Sequence, residues 1–161
     1  MRYIFKTRID LGENMVIILK CSNDLVTDWY LEFVGSVLNQ LNEETIYIHN
    51  RKEILQYPKN TIVVVARIAD AMYIRFKGYN NYIMWFQGIE PEESFMRNNN
   101  KIRYLTLSLL EKQVLKYSIF SLFVSDEMVK HYEKKYSIYL NADRYYCMPC
   151  KNTNINKAAF N

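Results

Sequence analysis

Short, uniformly apolar segments alternate with helix-like segments along the chain, and this alternation restricts the fold more than any other feature of the sequence. The apolar segments do not switch between apolar and polar side chains, which indicates strands covered on both faces. Strands are expected at residues 15–21, 45–49, 61–66, 82–86, 119–124 and 144–147. The pattern therefore predicts an α/β fold, a Rossmann-like doubly wound three-layer sandwich with a mainly parallel sheet of about six strands.

Helix-like segments lie between the predicted strands, at residues 27–42, 67–77, 92–98, 102–117 and 126–136, with a helical turn at 52–56. Thr27 and Ser125 stand where hydroxyl side chains often cap a helix N-terminus. In the first helix, Trp29 and Phe33 are four residues apart and predict an apolar face. We expect Trp29 to be buried on that face, and Trp85 to be buried within a central strand.

Composition places the chain among globular proteins of ordinary size. It has 161 residues, of which 50% are hydrophobic, and the net charge is +4. We expect one Rossmann-like domain over residues 1–150 and a polar linker over 151–161, leading to a second domain that these residues do not contain. The longest apolar runs are far shorter than the ~20 residues of a membrane span, and the start lacks the apolar core of a secretory signal. These features predict a cytoplasmic protein.

The positive charge is concentrated in one part of the chain. Residues 101–136 contain seven Lys or Arg and four Asp or Glu. Such a surface is suited to anionic lipid or a phosphorylated substrate, although the same charges are typical of a solvated helix face. We therefore expect peripheral contact with a membrane as one partner. A net charge of +4 is far from that of a polycation, and we expect no nucleic-acid partner.

The motifs of the common cofactor-binding folds are missing. Glycine occurs only at positions 12, 35, 78 and 88, so neither GxGxxG nor GxxxxGK[ST] is present. Cys147 and Cys150 form a CxxC, but Cys21, His49 and His131 are not spaced as the second half of a zinc site. A redox pair would need a helix N-terminus at the first cysteine, whereas a strand-like run precedes it. We expect strand-end thiols, no metal and no cofactor.

The strand ends are where a binding cleft is expected, because open parallel sheets bind ligands beyond the carboxyl ends of their strands. That rule selects residues 22–24, 66–70, 87–93 and 125–127. The candidate cleft residues in these segments are Asn23, Asp24, Gln87, Gly88, Glu90, Glu92, Glu93 and Ser125. An amide suits sugar hydroxyls or phosphate oxygens, and carboxylates can accept hydrogen bonds from sugar hydroxyls or act as a base. The alternative is structural, since Pro-Glu-Glu is also a favourable helix start.

A longer set of residues resembles a known family. The chain carries W-x-Q-G-x-x-P-E-E-S from Trp85 to Ser94, then Glu111, Val124-Ser125 with Met128, His131-Tyr132 with Lys135-Tyr136, and Pro149-Cys150 with Asn152. In order and spacing, this pattern resembles bacterial glycosyltransferases of the two-domain GT-B fold, of the family 4 type found in surface-polysaccharide synthesis. The resemblance covers about two-fifths of the chain by motif.

The resemblance implies the acceptor-side half of a glycosyltransferase. The partners would be a nucleotide sugar, held mainly by the absent second domain, and a glycan or lipid-linked acceptor. Gln87 and Gly88 would line the cleft floor, and Gln87 stands where many relatives have a catalytic histidine. Two glutamates separated by seven residues, typical of the donor site, do not occur. The resemblance assigns no catalytic residue, and His131 is expected to be structural.

Two functions follow from these observations. The first is the acceptor-binding half of a glycosyltransferase that transfers a sugar from a nucleotide sugar to a glycan or lipid-linked acceptor. The second is a non-catalytic α/β module that binds a protein or a small ligand. In the first case the isolated 161-residue chain is expected to be inactive, because transfer needs groups from both halves of the cleft.

Overall fold

The computed structural model describes residues 15–21, 25–40 and 44–148. Six strands form one sheet: β1 (Val16–Leu19), β2 (Thr45–Ile48), β3 (Ile62–Val65), β4 (Tyr82–Phe86), β5 (Phe120–Phe123) and β6 (Tyr145–Cys147). The strand order is β2-β1-β3-β4-β5-β6, and every neighbouring pair is parallel. The predicted α/β, Rossmann-like doubly wound fold is confirmed. The predicted linker 151–161 and Cys150 lie outside the described residues.

Helices cover both faces of this sheet. They are α1 (Leu25–Asn39), α2 (Ile68–Phe76), α3 (Glu90–Asn98), α4 (Lys101–Tyr117) and α5 (Asp126–Tyr136), with short 3-10 helices at Arg51–Gln56 and Ala142–Arg144. Helix α1 packs Leu31, Val34 and Leu38 on one face of the sheet. Helices α2, α4 and α5 pack on the other face. Apolar burial on both faces explains why the strands are uniformly apolar.

The register of the sheet divides the core into two layers. Val63 and Val65 contribute to the layer under α2, α4 and α5, whereas Val64 contributes to the layer under α1. All of β4 is buried, and Trp85 is 1% exposed, as predicted. Side chains alternate between the two faces of a strand, so a shift of one residue would exchange the two layers.

Trp29 was predicted to be buried, and this prediction is wrong, because its side chain is 47% exposed. The buried face of α1 contains Leu31, Val34 and Leu38, at the i, i+3, i+7 spacing. Trp29 and Phe33 lie on the opposite side of the helix, where their rings stack with centroids 6.2 Å apart. Because apolar residues surround most of α1, either side of the helix could have been buried. Packing against the sheet buries the side with Leu31, Val34 and Leu38.

The start of α1 also differs from the prediction. Thr27 was predicted as its N-cap, but the helix already begins at Leu25, so Thr27 lies within the first turn. Ser125 is confirmed as the N-cap of α5, since its hydroxyl accepts a 3.3 Å hydrogen bond from the Met128 backbone N–H. The bounds predicted for β4 and α5 match the structure.

The chain reverses its direction of travel across the sheet at β1. Strand β2 lies on one side of β1, and β3 and the later strands lie on the other. Such a switch point leaves a crevice beyond the carboxyl ends of the central strands. Those ends are Leu19 in β1, Val65 in β3 and Phe86 in β4. No helix in the described part of the chain has both the length and the apolar composition needed to cross a membrane.

Candidate functional site

A cleft of about 430 Å³ lies beyond the carboxyl ends of β3 and β4. Its polar lining comes from the loops and helices that follow those strands and from the first turn of α1. The polar or charged residues in the lining are Thr27, Arg67, Gln87, Glu90, Glu93, Arg97 and Glu111. The cleft therefore combines one amide, one hydroxyl, three carboxylates and two guanidinium groups, with Gly88 at its floor.

Gln87 is the first residue after β4, and it fixes one wall of the cleft. Its side-chain oxygen accepts a 2.8 Å hydrogen bond from the hydroxyl of Thr27. Thr27 is buried, so the bond is partly shielded from water. The amide oxygen thus has a partner within the chain, while the amide nitrogen is the group of Gln87 suited to donate to a ligand oxygen.

Gly88 lets a carboxylate approach the backbone closely. A Cβ atom at this position would lie 2.4 Å from an oxygen of Glu93, so any larger residue here would force that carboxylate to move. Glu93 is in the first turn of α3, and its carboxylate is 3.9 Å from the guanidinium of Arg97. Both side chains are largely exposed, and the pair forms the outer rim of the cleft.

Glu90 is the cleft carboxylate whose pKa is clearly shifted from its ordinary value. Glu90 is an exposed residue overall, but partial desolvation of its carboxyl raises the pKa, and the negative charges of Glu111 and Glu93 raise that pKa further. The guanidinium of Arg67 and a hydrogen bond from the Ile68 backbone N–H act in the opposite direction. Because Ile68 begins α2, the carboxylate of Glu90 lies at a helix N-terminus.

Glu111 connects the cleft floor to a buried network. It is 1% exposed, and its carboxylate accepts hydrogen bonds from the hydroxyls of Tyr132 and Tyr136 and from Lys135 Nζ, the last at 2.9 Å. The Tyr132 hydroxyl shares its proton between Glu111 Oε1 at 2.9 Å and the Gly88 carbonyl at 3.0 Å. Burial and the Glu111 carboxylate raise the pKa of both tyrosines. The network holds the backbone at Gly88 in place.

Of the residues predicted to line the cleft, Gln87, Gly88, Glu90 and Glu93 lie together there. Glu92 and Ser125 do not. Glu92 is on another side of α3, where its carboxylate contacts Lys135 Nζ at 2.8 Å and lies 3.6 Å from His131 Nε2. Ser125 caps α5. Asn23 and Asp24 lie outside the described residues.

A second charged cluster lies near the switch point of the sheet. Asp70 in α2 is buried, and its carboxylate is 3.7 Å from the guanidinium of Arg51 and 4.0 Å from that of Arg67. Burial raises the pKa of Asp70 and also that of the Cys21 thiol, which follows β1. Arg67 thus lies between Asp70 and Glu90 and links this cluster to the cleft.

Cys147 is the last residue of β6, and burial together with a hydrogen bond to Asp126 raises the pKa of its thiol to about 12. A thiol in that environment is a poor nucleophile. Within the part of the chain that the structure describes, no three His, Cys, Asp or Glu side chains are grouped so as to hold a metal ion.

Thr27, Arg67, Arg97 and Glu111 also line the cleft but were not among the predicted cleft residues. Arg67 had a usable signal, because residues 66–70 follow a predicted strand. Glu111 was part of the pattern that resembles glycosyltransferases, but it was not predicted to line the cleft. Thr27 and Arg97 had no such signal, since their positions depend on how α1 and α3 meet the sheet.

Comparisons with protein-family models, with curated proteins and with solved structures found no match in any of the three. The resemblance to GT-B glycosyltransferases therefore stays a prediction.

Proposed function

We propose that this chain is the acceptor-binding half of a glycosyltransferase, which transfers a sugar from a nucleotide sugar to a glycan or lipid-linked acceptor. One observation carries the proposal: Gln87 and Glu90 converge on a polar cleft beyond the carboxyl ends of β3 and β4. Amide and carboxylate groups are the usual partners of sugar hydroxyls, and this edge of an open parallel sheet is its usual binding edge.

Glu90 is the side chain best suited to assist the acceptor. Its raised pKa makes the carboxylate a stronger base than an ordinary glutamate. In the transfer, the acceptor oxygen bonds to the anomeric carbon and the bond from that carbon to the diphosphate breaks. The proton of the acceptor hydroxyl passes to Glu90. In this proposal Gln87 orients the acceptor through its amide nitrogen.

The nucleotide sugar would be held mainly by a second domain facing this cleft. Arg67 and Arg97 are the cleft cations that could face the leaving diphosphate, since guanidinium groups match phosphate oxygens well. We propose that the enzyme acts in the cytoplasm, with nucleotide sugar as its soluble donor. The isolated chain should therefore bind acceptor weakly and should not turn over nucleotide sugars.

Acceptor binding can be tested by NMR on the 161-residue chain. Neutral oligosaccharides of glucose, galactose and mannose, at millimolar concentration, should shift the amide signals of Gln87, Gly88 and Glu90. Gln87→Ala should abolish the shifts, whereas Gln56→Ala, which changes an exposed glutamine outside the cleft, should leave them intact. If no oligosaccharide perturbs the cleft, or if the shifts map elsewhere, the chain is a different kind of α/β binding module.

Catalysis can be tested in the enzyme that contains both domains. Gln87→Ala should lower the transfer rate by about 5- to 150-fold, corresponding to about 1–3 kcal/mol for one unmade hydrogen bond. Glu90→Gln should lower the maximal rate and remove the acid limb of its pH profile. A full transfer rate in Glu90→Gln would show that another group takes the proton.

A further inference from the structure

Helices α3 and α4 expose an unusual amount of apolar surface on one side. Met96, Ile102, Leu105 and Leu109 are 83%, 79%, 65% and 61% exposed, and we call these four residues the α3–α4 apolar face. On α4 the three aliphatic residues follow the i, i+3, i+7 spacing of a single helical stripe. A contiguous patch of exposed apolar side chains on a folded protein often marks an interaction site.

A groove continues this surface between the two helices. It has a volume of about 560 Å³ and is lined by Phe95, Met96, Lys101, Tyr104 and Leu105, together with Glu92 at its inner end. The rings of Phe95 and Tyr104 contact each other at 5.6 Å between centroids and form the floor. The groove offers a place for an apolar group to be buried next to the stripe.

The exposed charges of α4 and of the C-terminal half of α3 are positive, and the carboxylate of Glu92 beside the groove is paired with Lys135 at 2.8 Å. Between residues 95 and 117 the basic side chains are Arg97, Lys101, Arg103, Lys112 and Lys116, and all five are exposed. Glu111 is the only acidic residue in that range, and it is 1% exposed and bonded to Tyr132, Lys135 and Tyr136. Lys116 follows Leu109 by seven residues, about two turns, and so lies along the same stripe. The ammonium of Lys112 instead donates a 3.2 Å hydrogen bond to the Tyr136 carbonyl, so Lys101, Arg103 and Lys116 are the cations that support this surface.

From this combination we propose that the α3–α4 apolar face binds an anionic lipid bilayer. Aliphatic side chains would enter the boundary between headgroups and acyl chains, and the lysines and arginines around them would contact the lipid phosphates. A second copy of the chain is a poorer occupant, because a symmetric pair would bring the same basic residues of both copies together. An anionic bilayer provides negative charges opposite these basic residues, whereas a second copy of this face does not.

The α3–α4 apolar face lies next to the cleft. Helix α3 contributes Glu93 and Arg97 to the cleft and Phe95 and Met96 to the groove. A bilayer on the α3–α4 apolar face would therefore lie within about one helix diameter, ~10 Å, of the cleft. The binding itself does not depend on the proposed transferase activity, and it can be measured without any sugar.

Sedimentation of the full chain with vesicles tests this inference. Vesicles containing phosphatidylglycerol in phosphatidylcholine should bind the protein, binding should weaken as salt is added, and pure phosphatidylcholine vesicles should bind much less. The double variant Leu105→Ser/Leu109→Ser should weaken binding by at least about tenfold, and so should Lys101→Gln/Arg103→Gln. All four side chains are exposed, so circular dichroism and melting temperature should be unchanged.

The matched control is Leu55→Ser/Phe76→Ser. It removes two large apolar side chains that are 50% and 84% exposed but lie outside α3 and α4, and it should leave vesicle binding intact. Equal losses in the control and the test variant would overturn the proposal, as would equal binding to neutral vesicles or no binding at low salt. A dimer in ultracentrifugation that Leu105→Ser/Leu109→Ser dissociates would assign the face to a second copy instead.

Discussion

The hydroxyl of Thr27 donates a 2.8 Å hydrogen bond to the side-chain oxygen of Gln87, and this bond joins the first turn of α1 to the end of β4. The two residues are sixty positions apart in the chain. Thr27 is 4% exposed, so its hydroxyl needs a partner when the protein folds. Gln87 is therefore both a cleft residue and a structural contact, and its two roles can be separated by changing Thr27.

Thr27→Val replaces the hydroxyl by a methyl group of similar size and should leave the Gln87 oxygen without this donor. The free energy of unfolding should fall by about 1–3 kcal/mol, the cost of an unmade hydrogen bond in a shielded position. Chemical denaturation measures it. Ser36→Ala, which removes an exposed hydroxyl bonded within α1, is the control and should change stability by less than about 0.5 kcal/mol. A Thr27→Val protein as stable as the wild type would show that this bond contributes nothing.

Arg67 should control the proton affinity of Glu90. Its guanidinium opposes the effects of burial and of Glu111, so Arg67→Gln should raise the pKa of Glu90 further. Carbon-13 NMR titration of the glutamate carboxyls measures this. Lys52→Gln removes an exposed positive charge outside the cleft lining and should leave the Glu90 titration unchanged. A Glu90 pKa that falls or stays constant in Arg67→Gln would contradict this electrostatic arrangement.

The raised pKa of Glu90 also predicts how stability depends on pH. Between the ordinary glutamate pKa of about 4.3 and the raised folded value, the folded state holds more protons than the unfolded chain. The contribution of Glu90 to the free energy of unfolding should therefore decrease as pH rises through that interval. Denaturation across acid pH should show a steeper decrease in the wild type than in Glu90→Gln, because Asp70, whose pKa is also raised, contributes equally in both proteins. The same slope in both proteins would assign it to another group.

Lys135 should be essential to the buried network around Glu111. Its ammonium contacts Glu111 at 2.9 Å and Glu92 at 2.8 Å, and its side chain is 11% exposed. Lys135→Met would leave a buried carboxylate without its cation, a change that costs about 3–5 kcal/mol. Lys134→Met is the matched control, because Lys134 is adjacent on α5 but exposed, and it should cost less than about 0.5 kcal/mol. Equal losses in thermal unfolding would contradict the assignment.

The four inner strands, β1, β3, β4 and β5, were predictable because each is a compact, mostly apolar run that is buried on both faces. The predicted strand 82–86 matches β4. The N-cap at Ser125 was predictable because a hydroxyl residue is followed there by Asp126 and Glu127. The covered face of α1 was not predictable, since Trp29 and Leu31 both belong to helical apolar patterns. Only packing against the sheet distinguishes the two faces.

The cleft was partly predictable for a similar reason. The rule for strand ends selected Gln87, Gly88 and Glu90 because it depends on strand direction alone. It also selected Glu92, which α3 turns toward Lys135 instead. Whether a residue in a helical first turn faces the cleft depends on the rotation of that helix, and consecutive glutamates differ by about 100° around it.

The two tryptophans should respond very differently to truncation. Trp85 is 1% exposed in a central strand, so Trp85→Ala should lower the free energy of unfolding by about 3–5 kcal/mol. Trp29 is 47% exposed and stacks on Phe33, so Trp29→Ala should cost only about 0.5–1.5 kcal/mol. Urea denaturation of the two variants gives the comparison directly. Similar losses would mean that the outer side of α1 is covered in solution.

Gly88→Ala should displace the carboxylate of Glu93 at little cost in stability. The new Cβ would lie 2.4 Å from a Glu93 oxygen, but that side chain is 51% exposed and can turn into solvent. We expect a loss below about 1 kcal/mol, and almost none when Glu93→Ala is already present. A double-mutant cycle by chemical denaturation measures this coupling. A loss above about 3 kcal/mol that persists in the Glu93→Ala background would show that the backbone at Gly88, rather than the carboxylate, excludes a side chain.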